Sequence, residues 1–155
     1  MSVIEPRWGH DLRLLGDLRN QNDRDRGSDL FTARRFETGQ QDLEVVRDVD
    51  NLSQALLLRF LTQQGELAVL GHPDYGSRLY ELIGELNTET TRNRAKMFVL
   101  QALLAEPRVA QVVSVTVREH PGERDRIDVD AHLIPVDSDT PVNLVFPFFL
   151  DGGAP

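Results

Sequence analysis

Hydrophobic positions become periodic near residue 50. Leu52, Ala55, Leu56 and Phe60 recur at helical spacing, with Arg59 on the same stretch. Asp50 or Asn51 can cap this helix by accepting an orphan backbone N–H, and Gly65, after Gln63-Gln64, suits a left-handed stop. Glu66 to Leu70 reads as a short extended piece, followed by a turn through Gly71-His72-Pro73-Asp74-Tyr75-Gly76-Ser77. Ser77 then caps a short second helix with Leu79, Leu82 and Ile83 on one side. A third helix starts at Asn87 or Thr88. Ala95, Phe98, Ala102 and Ala105 form its stripe, which Leu100, Leu103 and Leu104 broaden.

The period then changes to two. Val113, Val115 and Val117 alternate with Ser114, Thr116 and Arg118, and Ile127, Val129, Ala131 and Leu133 with Asp128, Asp130 and His132. Leu144, Phe146, Phe148 and Leu150 make a third apolar face. His120-Pro121-Gly122 and Asp137-Ser138-Asp139 supply the turns. Pro147 has no N–H for a ladder, which places its strand at an edge or confines its pairing to one side. The expected fold class is α+β: about three helices packed on a small antiparallel three-stranded meander, with an extended N-terminal arm.

That arm occupies residues 1–47, the domain 48–150, and a flexible tail 151–155. Trp8, Leu12, Leu14 and Leu15 are apolar groups on a polar terminus, which reads either as a loosely held end or as an arm docking on a neighbouring subunit; apolar groups so placed are awkward in water, which favours the arm. The stretch 20–28 is polar and unpatterned, as a linker would be. The chain of 155 residues is 40% hydrophobic and 27% charged, the balance of an ordinary globular protein. A formal net charge of −8 argues against general binding to nucleic acid or an anionic membrane. With no cysteine there is no thiol nucleophile and no cysteine-ligated metal. The N-terminus lacks the basic and apolar regions of a signal peptide, so a cytoplasmic protein is expected.

Catalytic chemistry is thinly represented. His10, His72, His120 and His132 are scattered without helical metal-pair spacing, Ser77 lacks a nucleophile elbow, and no glycine-rich phosphate loop occurs. No cofactor is implied. Glu66, Asp74 and Glu81 could approach one another as a glycosidase pair, but 25 acidic residues make some such cluster expected by chance. The turn Pro73, Asp74, Tyr75, Gly76 reads either as a well-made lead into a helix or as a presented loop. Glu106-Pro107-Arg108 stands where the third helix stops and the first long strand begins. Pro107 ends the helix and sets the exit direction. The flanking carboxylate and guanidinium make the corner either a local lock or a docking point.

Taken in order, Gln54 to Phe60 with Leu61-Thr62-Gln63-Gln64-Gly65-Glu66, then Pro73-Asp74-Tyr75-Gly76-Ser77, then Glu106-Pro107-Arg108-Val109 resemble a known family. It is the baseplate wedge, sheath-initiator or lysozyme-like family (TssE-type) of contractile phage tails, type VI secretion and contractile injection systems. The resemblance spans about residues 48–150. It implies a non-enzymatic structural protein, made in the cytoplasm and assembled into a particle baseplate. Glu106, Pro107 and Arg108 would then dock on the core helical bundle of the other wedge proteins. The strand holding Val142, Leu144 and Phe146 would accept arms of the tail sheath protein by β-strand addition. The central tube or hub is a further implied partner, and neither nucleic acid nor membrane is one. The other Glu-Pro-Arg, at Glu5-Pro6-Arg7, lacks the helix–strand context.

Overall fold

Strand and helix meet without a loop at residue 48. Asp48 takes a left-handed φ of 52°, a conformation its short polar side chain tolerates, and turns the chain into the first helix. The computed structural model describes residues 8–18 and 30–152. Glu5-Pro6-Arg7 and the stretch 20–28 lie outside the described residues, as do 153–155 of the expected tail.

In chain order the elements are β1 (His10–Leu12), β2 (Thr32–Arg34), β3 (Gln41–Leu43), β4 (Val45–Arg47), α1 (Asp48–Leu61), α2 (Glu89–Leu104), β5 (Val109–His120), β6 (Glu123–Pro135) and β7 (Val142–Phe149). Short 3-10 turns at Ala68–Leu70 and Leu79–Leu82 lie between the two helices. β5, β6 and β7 form an antiparallel meander in that order; β1 pairs with β4, and β2 with β3, in two separate antiparallel ribbons.

The core lies between the helices and one face of the meander. From β6 it takes Ile127, Val129, Ala131 and Leu133, all fully buried, and from β7 Val142, Leu144, Phe146 and Phe148. Phe146 stacks on Phe60 of α1 with ring centroids 4.7 Å apart. α2 contributes Ala95, Phe98, Val99, Ala102 and Leu103, and its first turn is capped by Thr88, whose hydroxyl accepts from the Thr91 N–H at 3.2 Å.

The expected fold class needs correction. Among the described residues there are two α-helices rather than about three, and seven strands in sheets of two, two and three rather than one three-stranded sheet with an extended arm. The predicted second helix is only the 3-10 turn Leu79–Leu82. It is caught between Gly76 and Gly84, too short a stretch to repay helix nucleation, and the Gly84 N–H leaves for Leu150 O at 2.7 Å. The predicted extended piece Glu66 to Leu70 is curled, since Gly65 and Gly71 both take positive φ and Ala68 N–H bonds back to Gly65 O at 3.1 Å. The cap predicted at Asp50 or Asn51 is displaced to Arg47, which caps without a side-chain bond.

Asn51 has other work. With Gln54, one turn further along α1, it holds residues 8–18 against the domain. Asn51 Nδ2 donates to Trp8 O at 2.5 Å, Gln54 Nε2 donates to Leu12 O at 2.8 Å, and Gln54 Oε1 accepts from Leu14 N–H at 2.8 Å. Trp8, Leu15 and Leu18 are buried, and Leu15 and Leu18 join Val46 in the common core; Leu12 and Leu14 stay exposed.

Candidate functional site

Two of the sequence-predicted segments meet at one place. α2 ends at Leu104, and Ala105 and Glu106 continue in a turn around Pro107 closed by Val109 N–H to Glu106 O at 3.1 Å. This turns the Glu106 carboxylate inward, leaving it 5% exposed. Oε1 accepts from Arg108 Nε at 2.7 Å, and Oε2 accepts from Arg59 Nη2 at 3.1 Å. Arg59, itself buried on α1, places its guanidinium over the Tyr75 ring, 4.5 Å from the centroid. Arg108 also donates from Nη1 to Trp8 O at 3.4 Å, while Trp8 Nε1 donates to Val136 O at 2.9 Å.

Tyr75 reaches this cluster because its loop is fastened to the end of α1. Ser77 N–H donates to Thr62 O at 2.9 Å, Gln64 N–H to Ser77 O at 3.0 Å, and Ser77 Oγ to Phe60 O at 2.8 Å. Gly76 has φ of 110° and passes so near Thr62 that a Cβ would stand 2.7 Å from its carbonyl oxygen. Pro73 and Asp74 remain exposed at the tip, whereas Tyr75 is half-buried and Gly76 buried.

Electrostatically the cluster is one carboxylate between two guanidiniums. Burial pushes the Glu106 pKa up, but the Arg108 hydrogen bond and charge, reinforced by Arg59, outweigh it and hold the carboxyl below its usual range. Burial likewise raises the Tyr75 phenol, against the pull of Arg59. About a quarter of the Arg108 side chain is exposed, at 26%. The corner is therefore a lock with one partly open face.

The second candidate surface is the outer edge of β7. Val142, Leu144 and Phe146 point their side chains into the core. Leu150 N–H donates to Asp125 O at 2.7 Å, so by the alternation of an antiparallel ladder the even-numbered residues of β7 bond to β6. The main-chain groups of Asn143 and Val145 then face away from β6 along the edge. Pro147, opposite Asp128, sits where its missing N–H costs β6 nothing. A cavity of about 500 Å³ adjoins this edge, lined by Trp8, Leu18, Val49, Val142, Asn143 and Val145 among others. The opposite edge of the meander, on β5, carries three register irregularities, a feature that blunts edge pairing.

The carboxylates considered for glycoside hydrolysis are engaged differently. Glu81 accepts two hydrogen bonds from Arg78, at 2.7 and 3.0 Å, which hold it below the usual range, the opposite of what a general acid needs. Glu66 accepts from Gln63 N–H at 3.3 Å, and Asp74 is exposed. His120 and His132 lie on the polar face of the meander beside Asp128 and Asp130, at 2.7 and 3.2 Å, and His10 and His72 are exposed elsewhere.

Glu106 and Tyr75 were named from the sequence, but Arg59, which joins them, and Asn51 and Gln54, which hold the N-terminal segment beside the corner, were given no part in the site. Arg59 had a visible signal, a cation among the apolar positions of α1. Asn51 and Gln54 carried none, since polar residues near a helix start read as caps.

No protein-family model matches the chain, and no curated protein does. Among solved structures, the chain is similar to a protein from Geobacter sulfurreducens described as a "putative tail lysozyme". The two are 27% identical with a TM-score of 0.54, over 62% of this chain and 85% of that one. The likeness points coarsely to phage-tail-related proteins. No described helix is long and apolar enough to cross a membrane.

Proposed function

We propose that this protein is a structural, non-catalytic baseplate component of a contractile phage tail or related injection system. In this reading the Glu106–Arg108 corner docks on neighbouring wedge proteins, and β7 starts the first sheath ring by accepting a strand. The observation that carries it is the outer edge of β7, a register-regular strand with outward main-chain groups at Asn143 and Val145 beside a cavity. The likeness to a tail protein supports the setting. Strand addition takes most of its affinity from main-chain hydrogen bonds and needs little side-chain identity at the edge. The core-facing side chains of β7 hold the strand rigid while its other side stays available.

The same parity makes the test selective. Val145→Pro removes an outward N–H and leaves the β6 ladder intact, whereas Leu144→Pro removes an N–H bonded to β6. The expected outcome is that Val145→Pro protein folds with a near-normal melting temperature and is incorporated into particles, but its particles lack sheath in electron micrographs. Leu144→Pro should fail to fold. Fully sheathed particles from the Val145→Pro variant would remove β7 as the template.

A further inference from the structure

One face of α2 is used by the core and the other by nothing described. Thr91, Ala95, Phe98, Val99, Ala102 and Leu103 are buried. Asn93, Lys96, Met97, Leu100, Gln101 and Leu104 are exposed on the opposite face. Three of these outward residues are large and apolar: Met97 at 46%, Leu100 at 36% and Leu104 at 67% exposed. Their spacing, three then four residues, is the a/d repeat of a coiled-coil seam. A strand partner presents side chains with period two and does not match that repeat; a second helix does.

Charge narrows the occupant further. In a chain with 25 acidic residues, none falls between Glu89 and Glu106. Arg92 and Arg94 of α2 are engaged by Glu119 and by Glu81 and Glu85. Lys96 flanks the seam at the position before Met97, exposed and with no ion-pair partner among the described residues. A helix that packs here gains from a carboxylate flanking its own apolar seam. A second copy of α2 offers no acid over this stretch to face Lys96.

We infer that the outer face of α2, with Met97, Leu100 and Leu104 as the seam and Lys96 beside it, docks an amphipathic helix with apolar a/d positions and acidic flanks from another protein. This rests on the baseplate reading for the particle it serves, and deepens it by giving the neighbouring subunit a surface separate from β7. The seam runs only about 10 Å along the helix. It is one contact among several in an assembly, too small to hold a pair alone.

The probe is a labelled 21-residue peptide with Leu at a and d and Glu at e and g, compared with one carrying Lys at e and g. Both are titrated with the full chain in fluorescence anisotropy at low salt. The acidic peptide should bind at least about tenfold more tightly than the basic one. Leu104→Ser should weaken the acidic peptide, and Lys96→Glu should weaken it while strengthening the basic one, each with an unchanged melting curve. Equal binding of the two peptides, no binding of the acidic one, or indifference to both substitutions overturns the inference. Sheathless Val145→Pro particles alongside indifferent peptides would remove the seam and keep the baseplate reading. Selective peptides with normally sheathed Val145→Pro particles would keep the seam and remove β7 as the sheath template.

Discussion

Glu106 is the residue on which most of the corner depends. A buried carboxylate is costly unless paired, and here two guanidiniums and their hydrogen bonds offset the cost. Because its folded pKa lies below the unfolded value, it stabilises the fold fully above the unfolded carboxyl pKa. That contribution is lost as the pH falls through the lowered folded value. Melting temperature against pH should therefore drop steeply below about pH 4.5 in the wild type and less steeply in Glu106→Gln. Equal slopes would show that other carboxylates dominate acid unfolding. Arg59→Met leaves Glu106 with Arg108 alone and removes the Tyr75 stacking partner. The motif Glu106-Pro107-Arg108 was legible in sequence because proline and two opposite charges at a helix end stand out locally. Its third member, Arg59, lies 47 residues away, and no local pattern links the two.

At the scale of elements, agreement follows length and repetition. α2 starts at the Thr88 cap and stops before Pro107, and β6 and β7 alternate over enough positions to announce themselves. β5 keeps the alternation only in part, because a register shift between Val112 and Ser114 leaves Val113 exposed rather than on the apolar face with Val115. The short pieces did not announce themselves. The stretches after Gly65 and Ser77 fold as 3-10 turns, because a few residues between glycines take whatever shape their neighbours' hydrogen bonds allow. Gly76 is the most constrained of these joints, with positive φ and the Thr62 carbonyl in its way. Gly76→Ala should cost about 2–4 kcal/mol, from strain and overpacking together, read as a lower urea midpoint at unchanged slope. A loss under about 0.5 kcal/mol would mean that the loop can lift from α1 without consequence.

Across the whole molecule, the N-terminal segment belongs to the same body as the helices. Trp8 bonds through its indole to Val136, through its carbonyl to Asn51 and Arg108, and is 8% exposed. Trp8→Ala should destabilise the chain by about 3 kcal/mol, near the low end for burying so large a side chain. It should also speed hydrogen exchange in the β1–β4 ribbon. Unaltered stability would return the segment to the role of an arm awaiting a neighbour. The sequence, by itself, determined the parts whose logic is repeated along the chain: the capped helix α2, the proline stop, the alternating strands of the meander and the edge placement or one-sided pairing that Pro147 requires. Tertiary structure alone decided that Asn51 and Gln54 grip the N-terminal segment, that Arg59 completes the corner, and that one apolar face of α2 stays uncovered. The reason is that periodicity records which side of an element is apolar, while the partner each side meets is set by contacts that close over dozens of residues.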